Sequence, residues 1–141
     1  MLVPPNPATN DFLADRRLVS DAMVAAIEAS DVRHVVALSS IGAQLTEGTG
    51  PILSSHYNES VLRKAKASSI VLLRAAYFID NFASSLPPAK EHGVLPTFLT
   101  FDHRMPIVST QDIGRTAADL LLQVRSKGQN CGTQRPRQHQ S

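Results

Sequence analysis

The 141-residue chain holds a single cysteine, Cys131, so no internal disulfide can form and no cysteine-rich metal site exists. No apolar run approaches the roughly 18 residues of a membrane-spanning helix. The first residues, Met1-Leu-Val-Pro-Pro, have neither the basic stretch nor the apolar stretch of an export signal, and a cytoplasmic location is expected. Acidic residues stop at Asp119, beyond which come Arg125, Lys127, Arg135 and Arg137. Setting those four aside leaves ten basic against 12 acidic residues in the body, so the formal charge of +2 and the pI of about 9.0 belong to the tail. Four cations without aromatic neighbours or a recognition motif are a weak electrostatic footprint, and no nucleic-acid partner is expected. From Ser126 to Ser141 there is no Val, Ile, Leu or aromatic residue, a composition that predicts a disordered polar and basic tail. No internal repeat is present.

The remainder has the makings of one folded domain, with 43% hydrophobic and 18% charged residues in the whole chain. Leu2-Val3 before Pro4-Pro5 reads as the end of a strand. From about Asn10 to Ser30 the spacing of Phe12, Val19, Met23, Ala26 and Ile27 predicts an amphipathic helix, with Asp15, Arg16, Asp21 and Glu28 on its opposite face. Val35-Val36-Ala37-Leu38 is a continuous apolar run of buried-strand length, as is Ile70-Val71-Leu72-Leu73, and Ser54 to Lys66 between them suits a helix. Strand, helix, strand, helix, strand with connections too long for hairpins implies right-handed crossovers and a parallel sheet. In the second half, Tyr77 to Ser85 has helical character that Pro87-Pro88 should stop, Val94 to Phe101 suits a short strand, and Ser109 or Thr110 can cap a last helix reaching about Arg125.

Ligands of open parallel sheets bind outside the carboxyl ends of the strands. Three such ends are identifiable: Pro4-Pro5, Ser39-Ser40-Ile41, and Arg74 to Phe78. Their backbone groups, hydroxyls and aromatic rings are expected to face one crevice. Prolines that end strands, serines in turns and aromatics covering a sheet edge would account for the same residues without a ligand.

The stretches His34-Val-Val-Ala-Leu-Ser-Ser-Ile-Gly-Ala-Gln44, Gly48-Thr-Gly-Pro51, Leu73-Arg-Ala-Ala-Tyr-Phe-Ile-Asp-Asn-Phe82 and Pro106-Ile-Val-Ser-Thr-Gln-Asp-Ile-Gly-Arg-Thr-Ala-Ala118 occur in a fixed order. In that order they resemble the NmrA-like family of atypical short-chain dehydrogenase/reductase proteins, over about Leu2 to Arg125. The resemblance implies an α/β fold: a partial Rossmann-like parallel sheet with flanking helices, lacking the N-terminal glycine-motif strand. It implies NAD(P), with NADP favoured, as cofactor, and Pro4, Pro5, Ser39, Ser40, Ile41, Tyr77 and Phe78 as its contacts. Asn81 matches a substrate-side Asn of the quinone-reductase-like members. His56 or Tyr57 would donate a proton; His is suited to it by a pKa near neutrality. No metal is implied.

Two departures qualify the resemblance. Nothing in Met1 to Pro7 supplies the GxxGxxG motif that lets backbone approach a pyrophosphate, and Gly48 and Gly50 follow a later strand at the wrong spacing. The Tyr-x-x-x-Lys pair of the dehydrogenases, in which an ammonium lowers a phenol's pKa, is also missing, because Tyr57 is followed four residues later by Val61. The resemblance therefore implies an incomplete NAD(P)-binding domain over 1–125. Three activities are compatible with it: NAD(P)H-dependent reduction of a quinone-like small molecule in the full-length form, dinucleotide sensing with a protein partner and no catalysis, or an inactive fragment.

Overall fold

Asp11 opens the first helix. Its extended backbone and its carboxylate, which accepts the Ala14 N–H at 2.9 Å, cap α1 (Phe12–Glu28). A computed structural model describes residues 8–67, 69–97, 102 and 104–123. After α1 come β1 (His34–Ser40), a 3-10 turn (Gly50–Ile52) running into α2 (Leu53–Leu62), β2 (Ser69–Ala75), β3 (Tyr77–Phe78), a 3-10 segment (Ile79–Ser85), α3 (Leu86–His92), β4 (Ile107–Val108) and α4 (Thr110–Leu122). The Leu2-Val3 strand end, Pro4, Pro5 and the polar tail lie outside the described residues.

The chain is mixed α/β, with two small parallel sheets among the described residues. β1 and β2 pair in parallel from His34 opposite Ser69 to Ser40 opposite Ala75, and α2 makes the crossover. The apolar runs at Val35–Leu38 and Ile70–Leu73 thus form the expected parallel pair. Val35, Val36 and Ala37 are all buried, as a strand covered on both faces requires. Val36 and Val71 meet Leu120 of α4 to form a small core, with Leu73 and Ala117 packed against it.

Several expectations need correction. Arg16, assigned by periodicity to the solvent side of α1, is 8% exposed, and with Ser20 it is the most buried part of that helix. The helix is rolled so that its i, i+4 polar pair faces inward, while Phe12 on the expected apolar face is 37% exposed. Pro87 and Pro88 do not stop a helix; they lie in the first turn of α3, where a missing N–H costs no intrahelical hydrogen bond. Gly93 ends α3 in the left-handed conformation (φ +68°). Residues 94–97 are irregular rather than a strand, and 98–101 lie outside the described residues. The second parallel pair, Tyr77 opposite Ile107 and Phe78 opposite Val108, is too short to show as a hydrophobic run.

α4 is fixed at both ends. Ser109 accepts the Asp112 N–H, and Asp80 accepts both the N–H of Thr110 at 2.9 Å and its hydroxyl at 3.0 Å. Those two bonds hold the exposed Asp80 carboxyl below its ordinary pKa, the backbone donor contributing most. Near the other end, His34 Nε2 lies 2.7 Å from the Leu120 carbonyl. The helix starts at Ser109 as expected and is described as far as Leu122.

Candidate functional site

β1 ends in Leu38-Ser39-Ser40, and these three residues form one wall of a cleft of about 220 Å³. Ser54, Ser55 and Asn58 of α2 form a second wall; their spacing of three and four places them on one helical face. Arg16 and Ser20 of α1 supply the third, and Phe78 of β3 completes the lining. The cleft lies at the carboxyl end of β1, where ligands of parallel sheets bind.

A partly buried ion pair sets the geometry behind the β1 wall. Glu59 of α2 has a side chain only 4% exposed and receives a two-point bond from Arg74 of β2, Nε to Oε1 at 2.8 Å and Nη2 to Oε2 at 2.6 Å. Ser39 donates its hydroxyl proton to Oε1 at 2.6 Å, and Arg63 reaches Oε2 at 3.3 Å. Burial pushes the Glu59 carboxyl up, but the bonds from Arg74, Ser39 and Arg63 outweigh it and hold the group below its ordinary value. The same contact raises the Arg74 pKa. Glu59 is therefore an ionised structural strut that orients Ser39.

Of the expected cofactor contacts, Ser39, Ser40 and Phe78 are brought together in the cleft. Ile41 and Tyr77 are not in the lining: Ile41 is exposed, and Tyr77 turns its ring toward Phe82, centroids 5.6 Å apart. Asn81 is exposed on the 3-10 segment, and Pro4 and Pro5 lie outside the described residues.

The two proposed proton donors face elsewhere. His56 Nδ1 is 2.8 Å from the Ala43 carbonyl, a bond that requires the proton on Nδ1. The Tyr57 hydroxyl donates to Asp21 of α1, 2.8 and 3.1 Å from the carboxylate oxygens, with the Arg17 guanidinium 5.4 Å from its ring centre. The Asp21 hydrogen bond, helped by burial and by the negative charge, raises the Tyr57 pKa above 10.0, against a smaller lowering by Arg17. That is the reverse of the effect an adjacent lysine would have.

Arg16, Ser20, Ser54, Ser55, Asn58 and the Glu59–Arg74 pair were not singled out from the sequence. A usable signal was present in the i, i+4 pairs Arg16/Ser20 and Ser54/Asn58, which place two polar groups on one helix face. Comparison of the chain with protein-family models, curated proteins and solved structures finds no match.

Proposed function

We propose that this body is part of a Rossmann-like NAD(P)-binding unit of the NmrA-like kind, and that the cleft takes one end of the cofactor. The reading rests on one observation: Ser39, Ser40 and Phe78, selected from separate strand ends, line a single cleft at the carboxyl end of β1. Its volume is below the roughly 300 Å³ at which small-molecule pockets usually begin, which suits one ring and its substituents. The residues fit that end of a dinucleotide. They do not build a pyrophosphate cradle: a Cβ added to Gly48 or Gly50 would meet nothing within 4 Å, so neither glycine marks a close approach.

When bound, NAD(P)H supplies a hydride, and a quinone-like small molecule is the proposed acceptor in the full-length form. Ser39, held by Glu59, and Ser40 orient the ligand, and Phe78 covers one side of it. His56 donates its Nδ1 proton to Ala43, leaving a lone pair on Nε2, so it delivers a proton only as the imidazolium. The second reading is a dinucleotide sensor without turnover. It is favoured by one observation, that neither His56 nor Tyr57 lines the cleft and Tyr57 is engaged by Asp21.

Titration calorimetry with NADPH, paired with an assay of quinone-dependent NADPH oxidation, separates the readings. Binding with turnover supports the reductase, and binding without turnover supports the sensor. An absence of binding rejects both.

A further inference from the structure

The parallel pair of β1 and β2 uses one edge of β2. Ser69 donates its N–H to the Arg33 carbonyl, and the Ala75 carbonyl accepts the Ile41 N–H, both at 2.9 Å. Along a strand the backbone groups of successive residues alternate sides. Residues 69, 71, 73 and 75 therefore face β1, while Ile70, Leu72 and Arg74 turn their N–H and C=O groups outward. Among the described residues no strand pairs with that outer edge. An open edge is a template for another strand, and natural edges are commonly blunted by lysine, proline or a bulge. Ser69-Ile-Val-Leu-Leu-Arg-Ala75 has neither lysine nor proline, and its register with β1 runs without a bulge. Its one charged side chain, Arg74, is drawn onto Glu59.

The edge is matched to itself. Leu72 is the middle residue of the seven in β2, so a two-fold axis through it pairs the whole strand antiparallel with its copy. Leu72 then lies opposite Leu72, and Ile70 opposite Arg74. Every outward residue exchanges both of its backbone hydrogen bonds with the residue facing it. The two Arg74 side chains fall at opposite ends of the pair, whereas a parallel pairing would set these like charges side by side. Arg74 points to α2, and on that same face the half-buried Ile70 and Leu72 would lose further contact with water. The other face of β2 is already used, since Val71 and Leu73 pack with Leu120 and Ala117 of α4.

We propose that the outer edge of β2 is a homodimer interface, in which two copies of the chain join β2 to β2 as antiparallel strands about a two-fold axis at Leu72 and form one continuous sheet. No residue of β2 lines the cleft at the end of β1, so failure of the NADPH titration would leave this interface intact.

Sedimentation of the full chain from low to high micromolar concentration is expected to show a monomer–dimer equilibrium. Hydrogen exchange resolved to single amides, on the same samples, identifies the surface. The Ile70, Leu72 and Arg74 amides should exchange rapidly in the dilute protein and slow by about tenfold or more in the concentrated one, whereas Val71 and Leu73 are protected in both. Leu72→Pro removes an N–H that faces away from β1, a substitution that an edge strand tolerates. Checked for folding by circular dichroism, it is expected to dimerise about tenfold more weakly. The wild-type exchange pattern decides the matter even if that variant fails to fold. A monomer at every concentration, a dimer whose outward amides still exchange freely, protection of those amides that does not depend on concentration, or folded Leu72→Pro that dimerises like the wild type would each overturn the proposal.

Discussion

Ser39 and Arg74 stand opposite one another in the β1–β2 register and bond the same carboxylate oxygen of Glu59, at 2.6 and 2.8 Å. One buried side chain from α2 thus fastens the ends of both parallel strands. Breaking a buried pair typically costs 3–5 kcal/mol, and here Arg74 keeps 31% of its side chain exposed, which puts the loss at the low end of that range. Glu59→Gln is therefore expected to lower unfolding stability by about 3 kcal/mol in urea denaturation. Ser39→Ala removes only a hydrogen bond to a charged group and should cost about 1.5 kcal/mol. A Glu59→Gln loss below that of Ser39→Ala would contradict the strut assignment.

The acid response follows from the sign of the Glu59 shift. Its folded-state pKa lies below the ordinary value of 4.5, so the folded protein holds the carboxylate in its charged form more strongly than the unfolded chain does. The stability it contributes is complete above the ordinary glutamate pKa and is lost as pH falls through the lowered folded value. The stability gap between wild type and Glu59→Gln should stay constant from neutral pH to about 5.5 and narrow below about 4, as the wild-type carboxylate protonates. Denaturation curves over that range measure the gap; a gap that widens in acid would reverse the assignment.

Tyr57 provides an independent check on how α1 meets α2. The chain has two tyrosines, and the Asp21 contact places the Tyr57 pKa above 10.0. In Asp21→Asn the raising hydrogen bond and charge are removed while Arg17 remains. Ultraviolet titration of tyrosinate should then show the Tyr57 transition moving to lower pH. An unmoved transition would mean that the two helices do not hold this pair together in solution.

His34 connects the start of β1 to the last turn of α4 through the Leu120 carbonyl. The bond requires the proton on Nε2 and leaves a buried lone pair on Nδ1. His34→Ala is expected to cost about 1 kcal/mol and to speed amide exchange in the last two turns of α4, with α1 unchanged. Uniformly faster exchange in both helices would show a global loss of stability instead.

The parts of the fold visible in the sequence were those governed by local repetition. Val35–Leu38 and Ile70–Leu73 are long enough apolar runs to mark buried strands, and Ser109, one of the two caps the sequence offers for the last helix, caps α4. Hidden were the features set by long-range packing. Arg16 looks like a surface residue because its neighbours Asp15 and Arg17 are charged, yet it is buried and lines the cleft with residues of β1 and α2. Glu59 and Arg74 belong to different elements, and no sequence spacing announces that their side chains will meet. The two-residue strands Tyr77–Phe78 and Ile107–Val108 are pinned by pairing across a long connection. That Ser39, Ser40 and Phe78 stand at strand ends can be read from the sequence, and they line one cleft; that Asn58 joins them cannot, because a polar residue in a helix gives no sign of which elements its face will meet.

The claim that the carboxyl end of β1 is a dinucleotide site is tested most directly by titrating the isotope-labelled chain with NADPH and mapping the NMR shifts. The expected result is saturable change centred on Ser39, Ser40, Asn58 and Phe78, with α4 and β4 undisturbed. Saturable change confined to other parts of the chain, or none at all, would contradict it.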